Sequence, residues 1–341
     1  MKRKNLCLLT SLILALGITL FCAVLNSQAE EKIVLKLVHL WPTGHINHFT
    51  AEYFAGMVKK ESKGLIDIQV FPAEQLVKGK EIPEAVSMGT VDMGMIAGAY
   101  VGGKMPLIDI EFLPLLYDYS NMLKAHRAGM GEIIAREYLK AFNVKMMWFS
   151  PGGSMELYTT TKPVSKLEDF KGMMIRGGGG VLTKTVEVFG ATSVTMTSPE
   201  VYTALQRKTM DGAILGNTSF LAEKMWEVCK YGTKLSQDFG PVFVNVCMNL
   251  DKWNKLPNTA QKILIDCSAK TEDWGIIKVQ ENIKQTWEAA QNGGLTIVRL
   301  SPEEEMRWIK TAEKVWDWYA NKTGAEGRKL LEIAKKFSKI R

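Results

Sequence analysis

Short apolar segments with strand character alternate with stretches of helical spacing from Ile33 onward. That alternation limits the chain to an α/β architecture more tightly than composition does. Ile33–His39 (IVLKLVH) alternates apolar with polar residues, and Trp41-Pro42-Thr43-Gly44 interrupts it. Phe49, Phe54, Met57 and Val58 then follow helical spacing up to Gly64. Leu65–Phe71 reads as a second strand, Glu81–Met88 as a helix closed by Gly89, and Val91–Ile96 as a third strand. Strand, helix and strand in this order predict a mainly parallel sheet with helices on its faces.

A second α/β unit follows. Val144–Phe149 is strand-like, Phe149-Ser150-Pro151-Gly152-Gly153 reads as a break, and Glu156–Thr161 begins the new unit. Ser165 and Glu168 have the spacing of a capping box over a short helix that Gly172 ends. Met173–Arg176 is a strand, Val181–Phe189 a helix, and Thr192–Met196 a strand. Ser198-Pro199 is a helix start in cap-then-Pro order, and Asp211-Gly212 turns into Ala213-Ile214-Leu215. Phe239–Leu250 is a further strand, and a long helix runs from about Thr259 to Asn292. Leu295–Leu300 and a second capping box at Ser301 and Glu304 complete the pattern. Two α/β units joined by a long helix imply two lobes and a cleft, where ligand sites gather.

The first 29 residues stand apart. Lys2-Arg3-Lys4, an apolar run from Leu6 to Leu25, and Ser27-Gln28-Ala29 before Glu30 describe a secretory signal peptide cleaved after Ala29. The formal charge of +7 then falls to +4, with 40 basic against 36 acidic residues. So mild a charge argues against a nucleic-acid binder, which would carry a concentrated basic stripe. Cys229, Cys247 and Cys267 remain, an odd number without metal or redox spacing. They read as small buried hydrophobes, with a Cys229–Cys247 disulfide left open.

Arg176 is the residue that asks for a partner. It ends an apolar strand and runs into Gly177–Gly180. A guanidinium there suits a planar carboxylate, gripped by two parallel hydrogen bonds, or an internal ion pair with an acid such as Glu156. The glycines fail as a phosphate loop, since Thr183-Lys184-Thr185 lacks the required glycine, and as a dinucleotide fingerprint, since position 182 is leucine. His39, His45 and His48 have no partnered Cys or acid nearby and read as a surface loop rather than a metal site. No local signature of a nucleophile or cofactor loop is present, so neither catalysis nor a cofactor is expected. Trp308, Trp316, Trp318 and Tyr319, at near-helical spacing, read as packing.

The order of LEDFKGMMIR, GA-x-x-V-x-M, PEVYTALQ and DGA resembles the DctP-type solute-binding proteins of tripartite ATP-independent periplasmic (TRAP) transporters. FPAEQLVKGKEI, GTVDMGMI, EFLPLLYD, the KY-x-T element at Lys230–Thr233 and DKWNKLPNTAQKIL extend the likeness through most of the chain. The resemblance implies a two-lobed, type II-like periplasmic-binding-protein fold with two mixed sheets flanked by helices. Lobe I would comprise 30–150 plus about 243–280, and lobe II 151–242 plus about 281–341. It implies that Arg176 binds a ligand carboxylate, and that Glu156 stands where many members place a second arginine or a glutamine. Asn217 is the polar candidate after the Asp-Gly turn, in a loop that also offers Ser219. Trp41, His45, Tyr100 and Phe112 are candidate walls from their places after strands or in loops. The implied function is a non-catalytic periplasmic receptor that hands an organic acid, a monocarboxylate for want of a second arginine, to small and large permease subunits. The alternatives are an exported enzyme using Glu156 as acid or base, and a sensor domain with the same binding chemistry.

Overall fold

The computed structural model describes residues 32–338, so the signal peptide expected at 1–29 lies outside the described residues. The first part winds as the alternation predicts, through β1 (Ile33–Val38), α1 (Ile46–Glu61), β2 (Ile66–Phe71), α2 (Ile82–Ser87) and β3 (Met93–Ala97). A 3-10 segment at Pro106–Phe112 leads to α3 (Tyr119–Ala125), α4 (Gly131–Phe142) and β4 (Val144–Thr159). The second part holds β5 (Met174–Arg176), α5 (Gly180–Val188), β6 (Thr192–Val194), α6 (Ser198–Gln206), β7 (Gly212–Gly216), α7 (Asn217–Ala222) and β8 (Tyr231–Lys234). Then come β9 (Pro241–Asn249), α8 (Leu250–Lys255), α9 (Asn258–Asn292), β10 (Thr296–Arg299) and α10 (Pro302–Lys336).

The strands lie in the order β2-β1-β3-β9-β4-β7-β5-β6, with β8 pairing both β4 and β10. β1 is parallel to β2 and β3, as βαβ units require, and β5 is parallel to β6 and β7. β4 and β9 are antiparallel to each other and join the two parallel portions. The expected break at 149–153 is absent, because β4 runs on through it. Instead the register with β9 slips between Met146 and Trp148 and again between Pro151 and Gly153. Such bulges bend a strand without ending it. Gly153 (φ 92°) absorbs the second slip, and a Cβ there would lie 2.3 Å from Asn217 Oδ1.

The 35-residue α9, about 52 Å long at 1.5 Å per residue, packs along α1, β4 and α7. It therefore bridges both portions of the sheet. Phe54 on α1 meets Trp148 on β4 at 4.4 Å between ring centres, in a core with Leu35, Leu37 and Cys267. Trp308 of α10 packs edge-on against Phe170 and Phe189, and Trp316 and Tyr319 are buried on the same helix, so these aromatics are core. All three cysteines are buried free thiols, and no Cys229–Cys247 bridge forms.

Two caps differ from expectation. Asp169, not Glu168, accepts from Ser165 N and Oγ and from Lys166 N, while Glu168 pairs with Arg307 of α10. The cap of α6 is Thr197, whose Oγ1 and N both donate to Glu200 at 2.6 Å. Ser198 is thereby released from capping and becomes the first helical residue.

Candidate ligand-binding site

The polypeptide around Arg176 is arranged to bury a cation without neutralising it. Gly178, Gly179 and Gly180 all have positive φ (79°, 114° and 51°), a region that favours glycine. A Cβ at Gly178 would stand 3.0 Å from the guanidinium, and one at Gly180 would stand 2.5 Å from Asp109 Oδ1. The glycine run thus makes room for two charged side chains. Asp109 accepts from Val181 N at the start of α5 (3.3 Å) and pairs with Lys322 at 3.1 Å, so a protein carboxylate already occupies that helix end.

Arg176 is 3% exposed. Its Nε and Nη2 donate to Met196 O at 3.1 and 3.0 Å, and its Nη1 donates to Ile214 O at 3.0 Å. A guanidinium has five N–H groups, so one on each terminal nitrogen is not held by a backbone carbonyl and is left for the Tyr100 hydroxyl or a ligand. Among the described residues no carboxylate forms an ion pair with it, and the internal pairing with Glu156 does not occur. Burial pulls its pKa below the usual arginine value, opposed by the Tyr100 hydroxyl and by Glu223 and Glu200 further off. A carboxylate delivered to those two N–H groups would relieve that desolvation.

Those groups border a cavity of about 50 Å³, several times what one water needs. Arg176, Trp41, His45, Tyr100 and Phe112 all line it. Met155, Leu182, Leu215, Val242 and Phe243 make most of the remaining wall apolar, and Asn47, Ser198, Thr218 and Ser219 add polar groups. Glu156 and Asn217 are not in the lining. Successive strand residues face opposite sides, and on β4 it is Met155 that faces the cavity. Glu156 is buried on the other side, where Asp238 and Lys234 act on it and it in turn acts on Tyr158. Asn217 is turned against β4, its Oδ1 accepting from Ser154 N at 3.3 Å, while Thr218 and Ser219 look inward.

Contacts from the two parts of the sheet meet over this cavity. The His45 side chain caps α1 by accepting from Asn47 N at its Nδ1 (3.0 Å), which leaves the proton on Nε2. Nε2 lies 3.2 Å from Ser219 Oγ, and Ser219 also accepts from Ser198 Oγ at 3.2 Å. Ser198 N donates to the Tyr100 hydroxyl at 2.9 Å. Trp41 stacks on His45 with ring centres 5.5 Å apart. Asn47, Ser198 and Ser219 were not selected from sequence as site residues. Only Ser219 had a signal, its place beside Asn217.

Burial holds His45 at a pKa of about 3, and burial plus neighbouring His48 does the same for His39. Both folded-state values lie below the free value of about 6.5. Their contribution to stability is therefore present above pH 6.5 and lost as pH falls toward 3. In an NMR titration, both rings should stay neutral from pH 7 to 4; a midpoint near 6.5 would contradict the buried, cap-forming geometry. Among the described residues no group of three or more His, Cys, Asp or Glu is placed to hold a metal, and no helix is long and apolar enough to cross a membrane.

A cavity roofed by both parts of an α/β sheet thus holds a buried arginine that no acid among the described residues pairs with. Residues 37–323 match the family described as bacterial extracellular solute-binding protein, family 7 (DctP). The chain belongs to this family. As a DctP-family protein of the TRAP type it is a solute-binding receptor and not an enzyme. It is 28% identical over 309 residues to a solute-binding protein of Albidiferax ferrireducens, covering 88% of this chain and 90% of that one. It is 27% identical over 315 residues to the C4-dicarboxylate-binding periplasmic protein DctP of Rhodobacter capsulatus, covering 91% and 93%. The crystal structure of a TRAP periplasmic solute binding protein from Rhodoferax ferrireducens with bound malonate superposes with a TM-score of 0.81 at 27% identity, covering 89% of this chain and 98% of that one. Its mixed α/β fold, with the two long helices α9 and α10, matches that of TRAP solute-binding protein structures.

Proposed function

We propose that this receptor is exported to the periplasm by residues 1–29, closes over one small organic monocarboxylate, and delivers it to the small and large membrane subunits of a TRAP permease. The observation that carries this reading is Arg176, a buried guanidinium with no acid partner among the described residues and two N–H groups that no backbone carbonyl holds, at a mostly apolar cavity. Arginine rather than lysine fits a carboxylate there, because the planar fork can hold carbonyls and ligand at once. The lobes would be 30–150 with about 243–280, and 151–242 with about 281–341. Ligand touching Arg176 on one side and Trp41, His45 and Tyr100 on the other favours the closed form through its differential affinity.

The named relatives include a C4-dicarboxylate receptor and one holding malonate. Among the described residues Arg176 is the one lysine or arginine lining this cavity, and the inward position on β4 is Met155. A second carboxylate would be buried here without a counter-charge, which costs several kcal/mol, about 3–5 when one partner of a buried pair is missing. Thermal-shift measurements on the chain lacking 1–29 test this. A monocarboxylate at about 100 times its Kd should add roughly 2.7 kcal/mol of apparent stability, and matched dicarboxylates such as succinate should add much less. Equal or greater stabilisation by the dicarboxylate overturns the monocarboxylate reading.

A further inference from the structure

Asn47, the second residue of α1, is fully buried in the cavity wall. Its Oδ1 lies 3.5 Å from Ser150 Oγ, which is outside the lining, and its Nδ2 has no partner. A buried amide that lacks a partner for two N–H donors is unusual in a folded protein, and at a binding site it signals a ligand acceptor. Ser219 points the same way. Its Oγ already accepts from Ser198 Oγ and from His45 Nε2, so its own hydrogen is left to donate. Arg176 contributes two further N–H groups that no backbone carbonyl holds, from the other part of the sheet.

The cavity is thus rich in uncommitted donors, and no aspartate or glutamate among the described residues lines it. Among the described residues an ammonium group would find no carboxylate to balance its charge, and a second carboxylate would find no second cation. The geometry points to an oxo acid as cargo: a small monocarboxylate whose second polar group is an uncharged carbonyl oxygen, held by Asn47 Nδ2 and the Ser219 hydroxyl. This inference rests on the assignment of Arg176 to the carboxylate and adds the chemistry of the other end of the ligand. Carbonyl oxygen suits the site because it only accepts, matching donors that no other described residue satisfies.

Calorimetry with pentanoate, 2-oxopentanoate, 4-oxopentanoate and 2-aminopentanoate separates the possibilities. At least one oxo acid should bind roughly tenfold or more tightly than pentanoate, as expected when buried donors gain their partner, and 2-aminopentanoate should bind more weakly than pentanoate. Asn47→Ala should erase the oxo acid's advantage. Asn47→Asp, which replaces the donors with an anion, should reject both oxo acids and improve 2-aminopentanoate. Equal affinity for pentanoate and both oxo acids, or an advantage that survives in Asn47→Ala, overturns the proposal while leaving the carboxylate reading intact. If none of the four acids binds, the carboxylate reading falls and this proposal falls with it.

Discussion

Replacing Arg176 with alanine should lower affinity for the cargo by about 2–5 kcal/mol, or roughly 30- to 5,000-fold. The loss is large because the ligand carboxylate would still be stripped of water by Trp41, Phe112 and the other apolar walls but would meet no cation. Folding should survive. The substitution removes a buried charge, which is favourable, and frees the carbonyls of Met196 and Ile214, which costs about 1–3 kcal/mol for an unsatisfied buried group. These effects oppose each other, so circular dichroism and Tm should change far less than affinity does. Arg176→Lys should be intermediate, because one ammonium cannot serve Met196 O, Ile214 O and a carboxylate in the geometry a guanidinium spans. Glu223 supplies an independent readout. Burial raises its pKa to about 7 and Arg176 holds it down, so Arg176→Ala should move that titration upward. Unchanged affinity in a folded Arg176→Ala protein would remove the arginine from the site.

How much of this was legible in the chain depends on whether the information is local. The strands and long helices were, because alternation and three-and-four spacing are written into adjacent residues: β1, β2, α9 and the Ser301 cap lie within a residue or two of their expected places. Arg176 was legible for the same reason, being a charge at the end of an apolar strand. The region around 105–117 was not, since it is buried on nearly every side and shows no single period. The inward residue of β4 was lost for a sharper reason. Facing alternates by one residue, so placing the position one residue off, as the resemblance does with Glu156, selects the opposite face from Met155, the residue that lines the cavity. The short helix α7 shows the same difficulty in rotation, with Asn217 turned toward β4 and Ser219 toward His45. His45 and Ser219 are 174 residues apart, and no periodicity connects them.

Glu156 yields the other large effect, on stability rather than binding. It is buried, its Oε2 has no hydrogen-bond partner, and desolvation together with Asp238 pushes its pKa well above the usual carboxylate range, against a smaller pull from Lys234. The folded protein therefore holds this carboxyl protonated at pH values where the unfolded chain has already released the proton. A raised acid pKa gives stability that is fully present below the unfolded value, about 4.3 for glutamate, and is lost as pH rises from there toward the folded value. Over that window the loss reaches about 1.4 kcal/mol for each pH unit. Glu156→Gln keeps the shape, cannot ionise, and should remove this slope. The variant should match the wild type near pH 4 and become progressively more stable above it, as read from denaturant midpoints at fixed m-value. Because Met155 and not Glu156 faces the cavity, the order of affinities among acids should be the same in both proteins. A variant whose stability tracks the wild type at every pH would mean that folding does not shift the Glu156 pKa, and one that loses stability above pH 4 would mean that Glu156 is ionised and paired in the folded state. A changed ligand order would return it to the binding site.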